Sequence, residues 1–309
     1  MTLQQLRYIV AIDDFRHFGK AAEACGLTQS TLSLLVKKLE DELDVRIFDR
    51  ERHPVEPTQH GRKIIEQARV VLFNAAQITE LAENERQLVS GPLHLGLIST
   101  VAPVLVPGLF TYLVRNYPSL SLRTEEMLTS TLKERLKKAE VDIGILTSPV
   151  NDPELLEIPL YHERFFAYVS EKDPAYAQES FRLERLMEHP LWIMKNGLQL
   201  FDSSRREPDE DPTYENYFEG GRVGTLIQIV NELGGMTVIP ETHISLILYS
   251  LQKNLRPIEG ATRGRSIALA IRKDFIHEAK LNAVVDAIRS IIPVGLLFPV
   301  IRNNPHLTL

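Results

Sequence analysis

FGKAAEACGLTQSTLSLLVKKLEDEL, the run from Phe18 to Leu43, decides how the N-terminal part of this chain folds. Phe18, Ala21, Ala22 and Cys25 share one face of a short helix, and Gly26 stands where a left-handed residue closes it. Thr28 is a good N-cap for a second helix, in which Leu32, Val36, Leu39 and Leu43 recur at helical spacing. Two helices joined by a tight glycine turn make a helix-turn-helix. The outward face of the second helix carries Gln29, Ser30, Thr31, Ser33, Lys37 and Lys38, and no acid lies between Gln29 and Lys38. Gln can pair with adenine in the major groove, Ser and Thr with several base edges, and the lysines can reach phosphates. A helical hairpin with a merely solvated polar face would show the same spacing.

Upstream, Leu3, Leu6, Ile9 and Val10 predict a first amphipathic helix that ends near Asp13 to His17. Downstream, Val45 to Phe48, a charged bend and Val55 to Pro57 read as a two-stranded wing. Arg50, Arg52 and His53 sit at its tip, placed to lie along a phosphate backbone. Thr58 caps a long helix whose Ile64, Ala68, Val71, Ala75, Ile78 and Ala82 alternate spacings of four and three, a coiled-coil seam. Run to Leu88, that helix spans about 45 Å. Its apolar stripe needs a cover: a second copy of the chain or the head's own core. Ser90, Gly91 and Pro92 end it as a linker.

The whole chain has 309 residues, 35 basic and 41 acidic side chains, and one cysteine, which suits about two soluble domains. One cysteine excludes an intramolecular disulfide scaffold and a cysteine-rich zinc site. The N-terminus has no leader-like pattern and no run of eighteen apolar residues occurs, so a cytoplasmic protein with no membrane partner is expected. A net charge of -6 argues against general affinity for nucleic acid, but charge is segregated. Residues Phe15 to Lys38 hold four bases against Glu23 alone.

Beyond Pro92, strands alternate with helices. Leu93 to Ile98, Leu120 to Glu125 and Val141 to Leu146 read as strands, with helices over Val101 to Arg115 and Ser130 to Ala139 between them. That is a doubly wound α/β unit with a parallel sheet. A second unit starts near Phe166, with the strand Leu191 to Met194, the helix Thr225 to Leu233, a Gly234-Gly235 stop and the strand Met236 to Ile239. Ser266 to Ile271 and the helix Glu278 to Ile292 return to the first unit. Two crossings leave a cleft between lobes, where ligands of such folds bind.

These residues resemble the LysR-type transcriptional regulators over essentially the whole chain. The resemblance rests on Phe18-Gly-Lys-Ala-Ala-Glu-Ala, Leu27-Thr-Gln-Ser-Thr-Leu-Ser, Lys38-Leu-Glu-Asp-Glu-Leu, Phe48-Asp-Arg and Thr58-Gln-His-Gly-Arg. Ser90-Gly-Pro-Leu-His-Leu-Gly-Leu-Ile-Ser-Thr, Cys25 and Gly234-Gly-Met-Thr-Val-Ile-Pro are most similar to the peroxide-responsive OxyR branch. The resemblance implies a winged helix-turn-helix (mainly α) over 1–58, a linker and dimerisation helix over 59–89, and a two-lobed, periplasmic-binding-protein-like α/β regulatory domain over 90–309. Lobe I would take about 90–165 and 266–309, and lobe II about 166–265. It further implies a homodimer through the linker helix, assembled as a homotetramer, that binds interrupted inverted repeats in double-stranded DNA and contacts RNA polymerase if it activates. No cofactor or metal is implied.

Two departures from the family pattern matter. Ser30 stands where proline is common, and Leu34 and Leu35 stand where polar residues usually face DNA, which suggests contact with thymine methyls or an altered operator preference. Leu35 can instead widen the core stripe; Leu34, about 200° from Leu32, cannot. In the peroxide-responsive branch a His-Cys pair follows an Asn-Gly or Asp-Gly turn, an Asp follows, and a resolving Cys lies downstream. Here the frame is Asn196-Gly-Leu-Gln199-Leu-Phe-Asp202, with no cysteine there or in Arg205 to Pro212. Without a thiolate, peroxide chemistry is absent from this site. Ser99, Thr100, Thr129, Ser130, Gln199 and Asp202 would line the cleft and suit a small polar or anionic effector, although Thr100 and Ser130 could simply be helix caps.

The nine histidines show no metal spacing, Cys25 reads as a small core residue, Glu207 to Asp211 as a solvated acidic loop, and Trp192 as strand packing. A solute-binding module or an enzyme using the cleft is the competing reading. The helix-turn-helix counts against the first, and the lack of a nucleophile-base arrangement or phosphate loop against the second.

Overall fold

The computed structural model describes all residues except 50, 51, 53, 85–88, 195–216, 219–221, 260–263, 276, 305, 308 and 309. It divides into two compact units: Met1–Leu88 with Glu134–Val141, and Val89–Lys133 with Asp142–Leu309.

In the first unit, α1 (Leu3–Phe15) starts in a capping box, Thr2 accepting from Gln5 N–H while the Gln5 side chain accepts from Thr2 N–H at 2.9 Å. Helix α2 (Phe18–Ala24) is capped by His17, whose Nδ1 accepts from Gly19 and Lys20, and Gly26 at φ +67° makes the turn. Helix α3 (Gln29–Leu43) begins at Thr28 as its sequence predicts. The wing is shorter than expected, with β1 (Phe48–Asp49) antiparallel to β2 (Glu56–Pro57). Thr58 caps α4 (Gln59–Asn84), accepting from Gly61 N–H at 2.9 Å and donating to the Arg46 carbonyl at 2.7 Å.

One core joins these elements: Leu6, Ile9, Ile12, Ala21, Ala22, Leu32, Val36, Leu39, Ile47, Phe48, Val55, Ile65 and Ala68. Leu3, read as part of the first stripe, is exposed; Ile12 takes its place at the other end of α1. The linker stripe is also partly used up here. Ala68 is buried in the head, and Ile64 and Val71 pack against it, so the first half of the seam is covered by the chain itself.

In the second unit, β3 (Gly91–Ile98), α5 (Ala102–Asn116), β4 (Leu120–Met127), α6 (Thr129–Lys137, whose last residues belong to the first unit) and β5 (Ile143–Ser148) follow the expected alternation. The long strand β6 (Leu155–Val169) was not anticipated. Beyond it lie β7 (Phe181–Arg182), β8 (Leu191–Met194), β9 (Tyr217–Phe218), α7 (Val223–Leu233), β10 (Met236–Pro240), β11 (Leu255–Glu259), β12 (Gly264–Arg272), α8 (Glu278–Ile291) and α9 (Pro299–Asn303).

Among the described residues the main sheet runs β4-β3-β5-β12-β6-β10-β8-β9. It is mixed rather than parallel. Strand β3 is parallel to β4 and β5, but β12 is antiparallel to both β5 and β6. The reason is topological: β6 carries the chain out of lobe I and β12 brings it back alongside, so the two must run in opposite directions. On β6, Arg164 still pairs with Gly264 of β12, and Phe165 already pairs with Pro240 of β10. The partner of β6 thus changes from β12 to β10 within one continuous strand. No described helix is long and apolar enough to cross a membrane.

Candidate functional site

The DNA-facing candidates lie on α3. Thr28, Gln29, Ser30, Thr31, Leu34, Lys37 and Lys38 are exposed, Ser33 is half-buried, and Leu32, Val36 and Leu39 hold the opposite face in the core. The hydroxyls at the start of the helix are joined to one another: Thr28 Oγ1 lies 2.8 Å from Thr31 Oγ1 and 3.1 Å from Ser30 Oγ, and accepts from Thr31 N–H. Gln29 reaches back toward α2, its side-chain oxygen 3.3 Å from where a Cβ on Gly19 would stand. Lys37 and Lys38 put two exposed ammonium groups near the far end of this face, where phosphates would lie.

Glu40 fixes the wing to this helix. Its buried carboxylate accepts from the Ile47 and Phe48 N–H groups at 2.7 and 3.2 Å, and Val55 N–H donates to the Arg16 carbonyl at 3.1 Å. At Gly61 a Cβ would stand 2.0 Å from the Ile47 carbonyl oxygen, so only glycine lets α4 approach the wing. Arg52 is exposed and lies between Asp49 at 3.3 Å and Glu56 at 2.9 Å. A phosphate must compete with two carboxylates for it.

In the regulatory unit the polar centre is the crossing point. Glu163 on β6 and Arg265 on β12 are paired at 2.7 Å with side chains 0% and 2% exposed. The second Glu163 oxygen accepts from Thr242 N–H at 3.2 Å and from its hydroxyl at 2.5 Å, while Arg265 donates to the Thr100 hydroxyl at 2.7 Å and carbonyl at 3.3 Å. Glu163 thus holds the loop after β10 of lobe II, and Arg265 the turn before α5 of lobe I. A buried pair is tolerated when its remaining donors and acceptors are satisfied in this way. Tyr161 and His243 are buried beside it. Burial first, then the Glu163 charge, pushes the Tyr161 hydroxyl up, and burial together with the Arg265 charge drives the His243 imidazole down to about 3. At Gly264 a Cβ would stand 2.0 Å from the Glu163 carbonyl oxygen, so the second crossing also requires glycine. On the rim, Arg164 forks onto Glu241 at 2.8 and 3.1 Å. A separate cavity of about 220 Å³ in lobe II is bordered by Lys172 and Trp192, whose N–H groups already serve the carbonyls that end α7.

A model of the bacterial regulatory helix-turn-helix proteins of the lysR family matches residues 3–62, and a model of the LysR substrate binding domain matches residues 86–291. The chain belongs to the LysR family. It is similar to the hydrogen peroxide-inducible genes activator of Haemophilus influenzae, 31% identical over 94% of this chain and 99% of that one. It is also similar to the DNA-binding transcriptional dual regulator OxyR of Escherichia coli, 32% identical over 78% of this chain and 79% of that one. Among solved structures, a full-length OxyR variant from Pseudomonas aeruginosa superposes with a TM-score of 0.76 at 32% identity, covering 94% and 99% of the two chains. This LysR-family chain is an OxyR-like DNA-binding transcriptional regulator, and a regulator rather than an enzyme.

Within this LysR-family fold the residues predicted for the cleft differ in burial. Thr100 is buried and bound to Arg265, while Ser99 is half-buried and Thr129 and Ser130 are exposed at the start of α6. Neither helix-cap alternative holds. The residue before α5 is Val101, and Ser130 lies inside α6, so Thr100 serves the buried arginine instead. Arg50, His53, Gln199, Asp202 and the acidic stretch Glu207 to Asp211 lie outside the described residues. Glu163, Arg265 and Thr242 were missed by sequence reading. A signal was available: Glu163 sits on the buried side of an alternating strand, where an acid needs a partner. Cys25 ends α2, half-buried, its thiol pushed up by burial and so disfavoured as a thiolate.

Proposed function

We propose that the chain works in the cytoplasm as a homodimer joined through the linker helix α4, paired again into a tetramer, on interrupted inverted repeats in double-stranded DNA. Each head places α3 in a major groove, and the wing lies along the backbone. The observation that carries this reading is the exposed, acid-free face from Gln29 to Lys38, on a helix whose opposite face packs into the head core. RNA polymerase is a partner if the output is activation. The regulatory domain transmits its signal without a disulfide, because Cys25 is the only cysteine and the position of the reactive thiol is occupied by Gln199. A small polar or anionic effector near Thr129 and Ser130, seated over the Thr100–Arg265 contact, would bias the angle between lobes.

The test is selection of binding sites from a random duplex pool by the full-length protein, followed by footprinting with and without hydrogen peroxide. Enrichment of an inverted repeat whose footprint peroxide leaves unchanged is expected. An unenriched pool would remove the DNA reading, and a peroxide-driven shift that disappears in Cys25→Ser would remove the redox-blind one.

A further inference from the structure

The recognition helix divides its exposed residues into those already engaged and those open to base edges. The hydroxyls of Thr28, Ser30 and Thr31 form one short network that caps the helix, so they are partly committed before DNA arrives. Lys37 and Lys38 are long, flexible charges suited to phosphates. Leu34 remains. It is 68% exposed on a helix whose other large apolar side chains turn inward or lie half-covered. On a 3.6-residue helix it lies about 40° from Ser30 and Lys38 and about 60° from Thr31 and Lys37, which places it at the centre of the face opposite the core.

From this placement we infer that Leu34 is a specificity-determining residue that selects a thymine by packing on its C5-methyl group. The inference rests on the docking of α3 proposed above. In the major groove the thymine methyl is the apolar feature of the base-pair code, and an isobutyl side chain has no donor or acceptor with which to read anything else. Covering the methyl removes both apolar surfaces from water. Burial of one methyl corresponds to about a fourfold change in affinity.

The experiment uses the duplex that the full-length protein selects from a random pool, with each thymine replaced in turn by deoxyuridine, which removes the methyl and keeps the pairing edge. Wild type is expected to bind about fourfold more weakly at one thymine in each half-site. Leu34→Ala should lose that sensitivity while keeping the wild-type response at the other thymines and the wild-type salt dependence. Leu34→Gln should shift the preferred base at the same position. Wild type indifferent to every deoxyuridine, or Leu34→Ala retaining the full sensitivity, overturns the assignment. So does a Leu34→Ala defect that is uniform across sequences, because that marks an apolar contact with protein. A pool with no enriched sequence overturns the docking model as well, which separates the two failures.

Discussion

Glu163 and Arg265 meet at 2.7 Å at the two points where the chain passes between the lobes, fully enclosed, with Thr242 on one side and Thr100 on the other. Both crossings are thereby tied to one another and to one loop of each lobe. Removing one partner leaves the other as an uncompensated buried charge. Glu163→Leu or Arg265→Met alone is expected to destabilise the regulatory domain by about 3–5 kcal/mol, whereas the double variant Glu163→Leu/Arg265→Met should recover much of that stability. Denaturant unfolding of the two singles and the double measures this, and a single variant within about 1 kcal/mol of wild type would show that the pair is not structural.

Gly61 is expected to tolerate no side chain. In Gly61→Ala the new carbon would stand 2.0 Å from the Ile47 carbonyl oxygen, a backbone atom that cannot turn aside. A drop of about 1–3 kcal/mol in head stability should follow, with weakened DNA binding as the wing shifts. Unchanged thermal unfolding of this variant would mean that α4 can slide away from the wing.

Glu40→Ala leaves the Ile47 and Phe48 N–H groups without their buried acceptor. A cost of about 1–3 kcal/mol is expected, together with loss of wing order. Amide exchange at Ile47 and Phe48 reads the effect residue by residue, and protection equal to wild type would refute the anchoring role.

Acid should weaken the regulatory domain through His243 and His277. Burial, helped by the nearby positive charges of Arg265 and Lys280, holds their folded imidazoles neutral down to about 3 and about 4. The unfolded chain takes up protons at these residues from about pH 6.5 downward, so it binds more protons than the folded chain across this interval. Their contribution is therefore complete above pH 6.5 and falls steadily as the pH drops toward 4 and then 3. Stability profiles of wild type and His243→Leu between pH 7 and 4 compare the two; equal slopes would mean that His243 is not buried in neutral form.

Residues that position the head and residues that specify the site should separate. Lys38→Ala is expected to weaken binding to all sequences and to lower the slope of log affinity against log salt by about 0.9 for each phosphate no longer neutralised. Gln29→Ala should cost roughly 1–3 kcal/mol at one base position and leave the slope alone. Arg52→Ala should have a smaller effect than Lys38→Ala, although both residues read from sequence as phosphate-binding, because Asp49 and Glu56 already neutralise the Arg52 charge. Titrations at several salt concentrations check all three, and a Gln29→Ala defect that is sequence-independent would contradict the docking.

The head was legible from its residues because its packing is local. Thr28, Gly26, Leu32, Val36 and Leu39 act within a turn or two of themselves, and Thr58 was identifiable as a cap for the same reason. The role of Glu40 was less visible, since its partners lie seven and eight residues away in a wing whose strands are two residues each. In the regulatory domain the sequence predicted the strand Leu191 to Met194 and the helices on either side of the sheet, but not the long strand β6 or the antiparallel return of β12. Thr100 illustrates the difference. Its residue type fits a cap, a ligand site or a structural acceptor, and only Arg265, 165 residues further along the chain, selects among them.

Sequence by itself determined the winged helix-turn-helix, the acid-free reading face, the α/β regulatory fold and the lack of a second cysteine, because periodicity, capping and composition are properties of neighbouring residues. Tertiary structure decided which residues are spoken for. It covered the first half of the linker stripe with the head's own core, tied Thr100 to Arg265, paired Arg52 with two acids and left Leu34 in the open. These outcomes depend on packing between segments far apart in the chain, where burial and charge pairing, rather than residue type, determine what each side chain can still bind.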